Sequence, residues 1–380
     1  RRIALTMLAL FGTKPNQMIL GLMFATAFLS AWLSNTATAA MMVPVAMALI
    51  TLVHSTKAAG DPDAVTHERN FSLCILLALA YGASIGGMAT LIGSPPNGIY
   101  MRFMEQTYGQ VVSIASWMKV GVPVTLLLFI VSFFVLTGLM FRNMGGSVPG
   151  GKEWVRNELR SMGKLSTGEK AVGLCFLIAA VLWFSGAQLR GINIDGWQPF
   201  KYLTDAVIAM GMGIVPFLIP VDRKGTMAMD WKTANEAISW DVLLLFGGGL
   251  SLASAIQHTG VAQLIGAQVA VLAGSPFPVV LFGVVFIVTF ATGVTSNTAL
   301  AAMMMPLLAA VANALGLPPQ PILMGTALAA TAAFILPIST PPNAIVFGTG
   351  KIKIADMFRA GILINFVAIF VITGVMLLLD

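Results

Sequence analysis

The segment Ser34–Pro44, which reads SNTATAAMMVP, returns almost unchanged at Ser296–Pro306 as SNTALAAMMMP. Around it, residues 12–48 align without a gap with residues 274–310 at a constant offset of 262, and 14 of the 37 aligned positions are identical. An apolar composition produces scattered matches of alanine and leucine, but it does not produce this polar motif twice. The chain is therefore predicted to contain two repeats.

A second pair of matching motifs follows the first pair along the chain. Ile92–Ile99 reads IGSPPNGI, and Ile338–Ile345 reads ISTPPNAI. Proline interrupts a helix, but it is well tolerated in the first turn of a new one. Each repeat is thus expected to hold one segment with a polar Ser-Asn-Thr turn and one span that breaks at its proline pair.

The composition indicates that the chain lies in a membrane. Of its 380 residues, 57% are apolar and 9% are charged, whereas soluble domains carry roughly 25% charged residues. The two cysteines lie inside apolar stretches and form no disulfide framework. The basic residues behind the net charge of +6 lie between apolar runs, which is typical of cytoplasmic loops rather than of a nucleic-acid surface.

Apolar runs of about 20 residues, the length needed to cross a bilayer, define the expected segments. We predict an all-α integral membrane protein with two re-entrant helical hairpins, two broken spans and several continuous spans. The hairpins are 16–53 and 276–312, the broken spans are 71–108 and 322–349, and the continuous spans are 120–141, 171–187, 203–220, 240–257 and 360–379.

The basic residues determine the expected orientation. With the residue 1 end in the cytoplasm and the residue 380 end outside it, 17 of the 21 lysines and arginines fall on the cytoplasmic side, as the positive-inside rule requires. The exceptions are Arg102, Lys119, Arg190 and Lys201. An odd number of spans separates the hairpins, so the second repeat is expected to be inverted. Inverted repeats with interrupted helices are typical of secondary transporters, which bind substrate near the midplane.

The two repeats have unequal beginnings. A glycine-rich span and a short stretch near Val261–Ala273 precede the second hairpin, whereas only residues 1–11 precede the first. We therefore expect about three further N-terminal spans before Arg1, by analogy between the repeats.

The interrupted segments carry the chemistry of an ion site. The N-terminus of a half-helix has unpaired N–H donors and a partial positive charge, which suit a carboxylate. Four such ends, at the two turns and the two breaks, are expected to converge on one anion. Helix C-terminal ends expose oxygens, which hard cations prefer. The residues predicted around one cation are Ser30, Ser34, Asn35 and Gly93, and those around a second are Thr292, Thr295, Asn297 and Ser339.

Charged residues and histidines are absent from the centres of the predicted spans. Proton-coupled carriers usually need a titratable relay in the membrane, and an intramembrane enzyme would need paired aspartates, a Ser–His pair or a metal cluster. The sequence therefore favours coupling to a metal cation and argues against an enzyme. A passive channel is an alternative, but inverted hairpins favour alternating access.

The paired Ser-Asn-Thr motifs and the stretch Phe334–Val346, which reads FILPISTPPNAIV, resemble the divalent anion:sodium symporter family over essentially the whole chain. The resemblance implies a homodimeric elevator-type carrier in the cell membrane that moves a small dicarboxylate with sodium ions and uses no organic cofactor. Thr331 and Gly293 depart from the family pattern of a serine and an acidic residue. The substrate-binding residues that the resemblance implies are Asn35, Thr36, Ser94, Pro95, Asn297, Thr298, Thr340 and Pro341, within motifs that also contain Ser34 and Ser296.

The resemblance also implies a mobile transport domain and a scaffold in each protomer. Residues 1–141 would be the first repeat, mainly transport domain; 142–170 a basic cytoplasmic loop; 171–273 the scaffold spans of the second repeat; and 274–380 its transport-domain part. The expected function is sodium-coupled symport of succinate, malate or fumarate. A sodium-independent dicarboxylate exchanger and a symporter of citrate, sulfate or another oxyanion are the alternatives.

Overall fold

The structure, a computed structural model, covers most of the chain. It describes residues 2–12, 14–55, 63–144, 151–195, 197–222, 225–238, 240–261, 264 and 274–379. These residues are mainly helical, and the β-structure among them consists of two isolated bridges, Ile194 with Trp197 and Pro220 with Met227. The predicted all-α class is confirmed.

The first repeat is a hairpin followed by a broken span. Its helices are α1 Arg2–Ala9, α2 Pro15–Ser30, α3 Asn35–Ser55, α4 Ala64–Gly87, α5 Pro95–Tyr108 and α6 Ile114–Phe134, which continues as a π-helix, Val135–Met140. The arms of the hairpin are α2 and α3, and the broken span is α4 with α5. Gly109 ends α5 in the left-handed conformation, with a φ of +66°, which glycine adopts without steric cost.

The middle of the chain contains α7 Gly151–Ser161, α8 Thr167–Arg190, α9 Asp205–Ile214, α10 Trp231–Ala237 and α11 Trp240–His258. The segment 142–170, for which the sequence predicts a loop, therefore contains a helix, α7. Glu153 in its first turn and Arg160 in its last complement the helix dipole. The stretch near Val261–Ala273 lies almost entirely outside the described residues.

The second repeat has the same order of elements. Its helices are α12 Phe277–Ala291, α13 Asn297–Ala314, α14 Pro319–Thr331, α15 Pro341–Phe347 and α16 Ile354–Leu379. The hairpin arms are α12 and α13, and the broken span is α14 with α15. A short 3₁₀ turn, Pro337–Ser339, lies in the break between them.

Both breaks are longer than the proline motifs indicate. Residues 88–94 separate α4 from α5, and residues 332–340 separate α14 from α15. The proline pairs occupy the first two positions of α5 and α15, where a missing N–H leaves no hydrogen bond unmade. Each break therefore lies on the N-terminal side of its prolines.

The first arm of each hairpin is short. α2 has 16 residues and α12 has 15, so at about 1.5 Å per residue each is shorter than the roughly 30 Å hydrocarbon core. Neither first arm crosses the core alone, as expected for a re-entrant hairpin. In the described part of the chain, the helices long and apolar enough to span a membrane are Asn35–His54, Ala64–Gly87, Ile114–Met140, Thr167–Gly186, Asn297–Ala314 and Ile354–Leu379.

The larger of two compact units comprises Arg1–Val111, Met118–Met162 and Leu244–Asp380. Its core is formed by α4 and α14, which are buried without interruption over Phe71–Gly87 and Pro321–Thr331. Each packs against the hairpin of its own repeat. The proline-headed helices cross between repeats, because α5 packs against α13 and α14, and α15 packs against α3 and α4.

The smaller unit comprises Val112–Trp117 and Gly163–Leu243. Asp205 is its polar centre: one carboxylate oxygen accepts from the Ile114 N–H at 3.0 Å, and its carbonyl oxygen accepts from the Trp183 indole N–H at 3.1 Å. The Arg190 guanidinium donates to the Leu203 carbonyl at 2.8 Å and lies 3.9 Å from Asp205. These contacts join the C-terminal end of α8 to the start of α9.

Candidate functional site

The turn of the first hairpin places a hydroxyl against an amide. Ser30 ends α2, and its Oγ donates to Oδ1 of Asn35, the first residue of α3, at 2.7 Å. Ser30 is fully buried and Asn35 is 8% exposed, whereas Ser34 between them is exposed. Ser34 Oγ accepts from the Ala37 N–H at 3.3 Å and so caps α3.

The turn of the second hairpin repeats this arrangement. Thr292 and Asn297 stand at the positions of Ser30 and Asn35, and Thr292 Oγ1 lies 2.8 Å from Asn297 Oδ1. Thr292 Oγ1 also lies 2.7 Å from the carbonyl oxygen of Ala330. The hydroxyl has one proton, which bonds to one of these two acceptors at a time. Three oxygen atoms, those of the Thr292 hydroxyl, the Asn297 amide and the Ala330 carbonyl, therefore lie close together. Such a cluster of neutral oxygens suits a hard cation.

Thr295 does not join the cluster of the second turn in the described contacts. Its side chain lies in the turn and is exposed, and Oγ1 donates at 2.8 Å to the carbonyl of Ala291, the last residue of α12. A threonine that bonds four residues back in this way is using its hydroxyl locally. A cation ligand from this position would come from the backbone carbonyl rather than from the side chain.

The first break lies against the first turn. A Cβ atom added at Gly87 would lie 2.2 Å from Asn35 Oδ1, and one added at Gly93 would lie 2.6 Å from the Gly87 carbonyl oxygen and 2.8 Å from that of Ser30. Only glycine allows this close approach. Thr90 connects the two segments, because its Oγ1 donates to the Ala31 carbonyl and accepts from the Gly93 N–H at 3.3 Å.

A hydrogen bond joins the broken spans of the two repeats. Ser94 Oγ, at the start of α5, lies 3.0 Å from Thr331 Oγ1, at the end of α14. Thr331 Oγ1 also donates to the Ala327 carbonyl at 3.2 Å, so the Ser94 hydroxyl is the donor between them. Both residues are buried, Ser94 at 2% exposure and Thr331 completely.

The second break presents the matching residues. Ser339 and Thr340 are 1% and 3% exposed, and Ser339 Oγ donates to the Leu336 carbonyl. Pro341, the first residue of α15, is exposed. The other predicted substrate residues line the starts of their helices: Pro95 is half-buried, Thr36 is exposed and Thr298 is buried.

The buried polar side chains carry no fixed charge. Over the described residues, they belong to serines, threonines and asparagines, together with the tyrosines Tyr81 and Tyr100. The same residues contain no group of three or more His, Cys, Asp or Glu side chains that could hold a metal ion. A cation at this site would therefore be bound by hydroxyl, amide and carbonyl oxygens. An anion would be bound by helix N-termini and by the cation itself.

Several residues that shape the site are missing from the sequence prediction: Gly87, Thr90, Asn97, Thr331 and Asn343. The repeated Pro-Pro-Asn motif is a signal that could have identified the two asparagines. The difference from the family pattern at Thr331 could have identified that position. Gly87 and Thr90 carry no sequence signal, because glycine and threonine are frequent in membrane helices for packing alone.

Comparisons with known proteins bear on this arrangement. A family model described as "Sodium:sulfate symporter transmembrane region" matches residues 1–379. The sodium-dependent dicarboxylate transporter SdcS of Staphylococcus saprophyticus is 37% identical over 376 residues, which are 98% of this chain and 70% of the relative. SdcS of Staphylococcus aureus is 37% identical over 373 residues, with the same shares covered.

A solved structure shares the fold. The chain is similar to the YdaH transporter of Alcanivorax borkumensis, whose crystal structure has an unusual topology. The TM-score is 0.58 at 12% sequence identity, and the match covers 99% of this chain and 80% of that one. At this identity the likeness concerns the arrangement of helices only.

Proposed function

Because this chain belongs to the sodium:sulfate symporter family, we propose that it carries a C4-dicarboxylate, such as succinate, malate or fumarate, across the cell membrane together with sodium ions. The observation that carries the proposal is the pair of matched hydroxyl–amide contacts, Ser30 with Asn35 and Thr292 with Asn297. The names of the two staphylococcal relatives support sodium as the coupling ion and a dicarboxylate as the cargo.

The two carboxylates of the substrate would be held by the starts of four helices. α3 and α13 begin with Asn35 and Asn297, and α5 and α15 begin just after Ser94 and Thr340. The first-turn N–H groups of α3 and α13 point along the helix axis, toward an anion. α5 and α15 begin with two prolines, which have no N–H, so these helices would contribute mainly the positive end of their dipole. Thr36, Thr298, Pro95 and Pro341 would complete the lining of this proposed substrate site.

Sodium would bind at the C-terminal sides of the same interruptions. One ion would take oxygens from Ser30, Ser34, Asn35 and Gly93, and a second from Thr292, Thr295, Asn297 and Ser339. Asn35 and Asn297 link the two cargoes, because an asparagine offers an oxygen to a cation and N–H donors to a carboxylate. Bound sodium would add the positive charge that the buried side chains lack, and the anion would then bind.

We extend the proposal to the transport cycle. An elevator-type mechanism in a homodimer is supported by the family resemblance and by the repetition of the hairpin and break. In this scheme the two repeats are inverted, the N-terminal end is cytoplasmic, and the segments 1–141 and 274–380 belong mainly to the mobile domain. The segment 171–273 belongs to the scaffold.

Uptake of labelled succinate into proteoliposomes tests the proposal. The purified protein is expected to accumulate succinate when an inward sodium gradient is imposed, and not when potassium or choline replaces sodium. Sodium-independent uptake that requires unlabelled dicarboxylate inside the vesicles would identify an exchanger instead. Competition by unlabelled citrate or sulfate that exceeds competition by malate and fumarate would assign a different oxyanion as the cargo.

Substitution of the two linking asparagines tests the site. Asn35→Ala and Asn297→Ala each remove a cation oxygen and an anion donor, so we expect each to reduce sodium-driven uptake to the level of empty vesicles. Asn70→Ala is the control, because the Asn70 amide donates to the Arg142 carbonyl, outside the proposed site. Normal uptake by either test variant would refute the assignment.

A further inference from the structure

Two asparagines outside the proposed cargo-binding set occupy equivalent positions in the repeats. Asn97 and Asn343 directly follow the proline pairs that begin α5 and α15. Both are completely buried. A completely buried primary amide has two donors and an acceptor to satisfy, so its partners indicate its purpose.

The side chains make the same contacts in both repeats. Asn97 Nδ2 donates to the carbonyl oxygens of Gly87 at 2.9 Å and Thr90 at 2.8 Å. Asn343 Nδ2 donates to those of Ala333 and Leu336, both at 3.0 Å. In each case the acceptors lie 10 and 7 residues before the asparagine.

These acceptors are carbonyls at an interrupted helix. Gly87 is the last residue of α4, and its carbonyl has lost its intrahelical N–H partner. Thr90, Ala333 and Leu336 lie in the breaks, outside the α-helices. In each repeat a single buried amide supplies donors to two of these carbonyls. Because both amide hydrogens face carbonyl oxygens, the orientation of each side chain is fixed, and Oδ1 must point away from the break.

The side-chain oxygen of each amide shows that packing is not the role of the asparagine. Neither Asn97 Oδ1 nor Asn343 Oδ1 accepts a hydrogen bond from any described residue. Burying an unpaired acceptor is unfavourable, and leucine would fill a similar volume without that cost. The asparagine is therefore explained by its two N–H donors.

The bonded carbonyls lie beside the predicted cation ligands. The Gly87 carbonyl is 2.6 Å from where a Cβ of Gly93 would be, and Asn343 Nδ2 is 3.3 Å from Ser339 Oγ. We infer that Asn97 and Asn343 are positioning residues, which hold each break in the shape that presents Gly93 or Ser339 to a cation. The identity of the cation as sodium and of the substrate as a dicarboxylate rests on the proposed function. The geometry of the breaks does not depend on it.

The experiment compares Asn97→Leu and Asn343→Leu with wild type in sodium titrations of succinate uptake. Leucine keeps the approximate shape and removes both donors. We expect the half-saturating sodium concentration to rise about tenfold in each variant, with the maximal rate of the folded protein retained at saturating sodium. The control Asn70→Leu also loses a donor to a backbone carbonyl, but away from the breaks, and should titrate as wild type.

Backbone amide exchange provides a second, transport-independent measurement. In Asn97→Leu, or in Asn97→Ala if leucine is not accommodated, residues 88–94 should exchange about tenfold faster, while residues 332–340 stay unchanged. The reverse is expected for the Asn343 variants. Unchanged sodium titration and exchange would overturn the inference, and so would variants that fail to fold while the control folds. If wild-type uptake did not depend on sodium, the proposed function would be refuted instead. The amide-exchange data would still test the role of the two asparagines.

Discussion

At the scale of single residues, the site depends on hydroxyl groups whose single proton already takes part in a hydrogen bond within the protein. Ser94 donates to Thr331, and Thr331 donates to Ala327. The chain of donors fixes the Ser94 side chain at the head of α5, where the substrate carboxylate is proposed to bind. Thr331, which is not among the proposed substrate-binding residues, would thereby set the orientation of Ser94, which is.

Thr331→Val tests this dependence. Valine has the shape of threonine without the hydroxyl, so Ser94 loses its acceptor and a buried polar group is left unpaired, at a cost of about 1–3 kcal/mol. We expect the KM for succinate to rise roughly fivefold or more in uptake assays at saturating sodium. Thr331→Ser retains the hydroxyl and should behave as wild type. The idea fails if valine leaves the KM unchanged.

The repeated motif indicated Asn35 and Asn297 and the equivalent positions Ser30 and Thr292, and the structure brings each pair into contact. Their roles in binding a cation and a substrate stay a prediction. The motif did not identify Thr90 or Gly87. Their roles depend on a helix 50 or more residues away along the chain, and no local pattern encodes such a contact.

At the scale of elements, the breaks determine how closely helices approach. α16 passes the second break with Gly361 against its backbone: an added Cβ would lie 2.1 Å from the Phe334 carbonyl oxygen and 2.7 Å from Ile335 Cα. The break cannot easily move away, because the Phe334 N–H donates to Asn365 Oδ1 of α16 at 3.3 Å. The helix and the break are therefore fixed to each other.

Gly361→Ala is expected to destabilise this packing. Overfilling a well-packed interior typically costs about 1–3 kcal/mol, so the unfolding temperature of the purified protein in detergent should fall. Gly374→Ala on the same helix is the matched control, because a Cβ there meets open space. An equal unfolding temperature for the two variants would show that the backbone yields at the break.

The element boundaries were partly predictable. Prolines correctly marked where α5 and α15 begin, because proline suits the first turn of a helix. The ends of α4 and α14 were not predictable, since residues 88–93 are as small and apolar as the helix before them. At the end of α4 the Asn97 amide donates to the Gly87 carbonyl. In the break the Thr90 hydroxyl donates to the carbonyl of Ala31 in the first hairpin and accepts from the Gly93 N–H. The contact with Ala31 is a tertiary one, which no local pattern encodes.

At the scale of the whole molecule, cargo binding and stability are linked. A ligand that binds only the folded state stabilises it by about 2.7 kcal/mol when present at 100 times its Kd. We expect sodium and succinate together to raise the unfolding temperature, and potassium with succinate to leave it unchanged. Asn35→Ala should abolish the increase. Equal stabilisation by potassium would contradict selective binding of sodium.

The absence of buried charge in the described residues has a consequence for energetics across the membrane. Moving one elementary charge through the membrane potential involves about 2.3 kcal/mol per 100 mV. A proposed binding site lined by serine, threonine and asparagine contributes no such charge when it is empty. In the proposed cycle, voltage would then have little effect on the return of the unloaded carrier, and any electrical driving force would act through the ions that enter with the substrate.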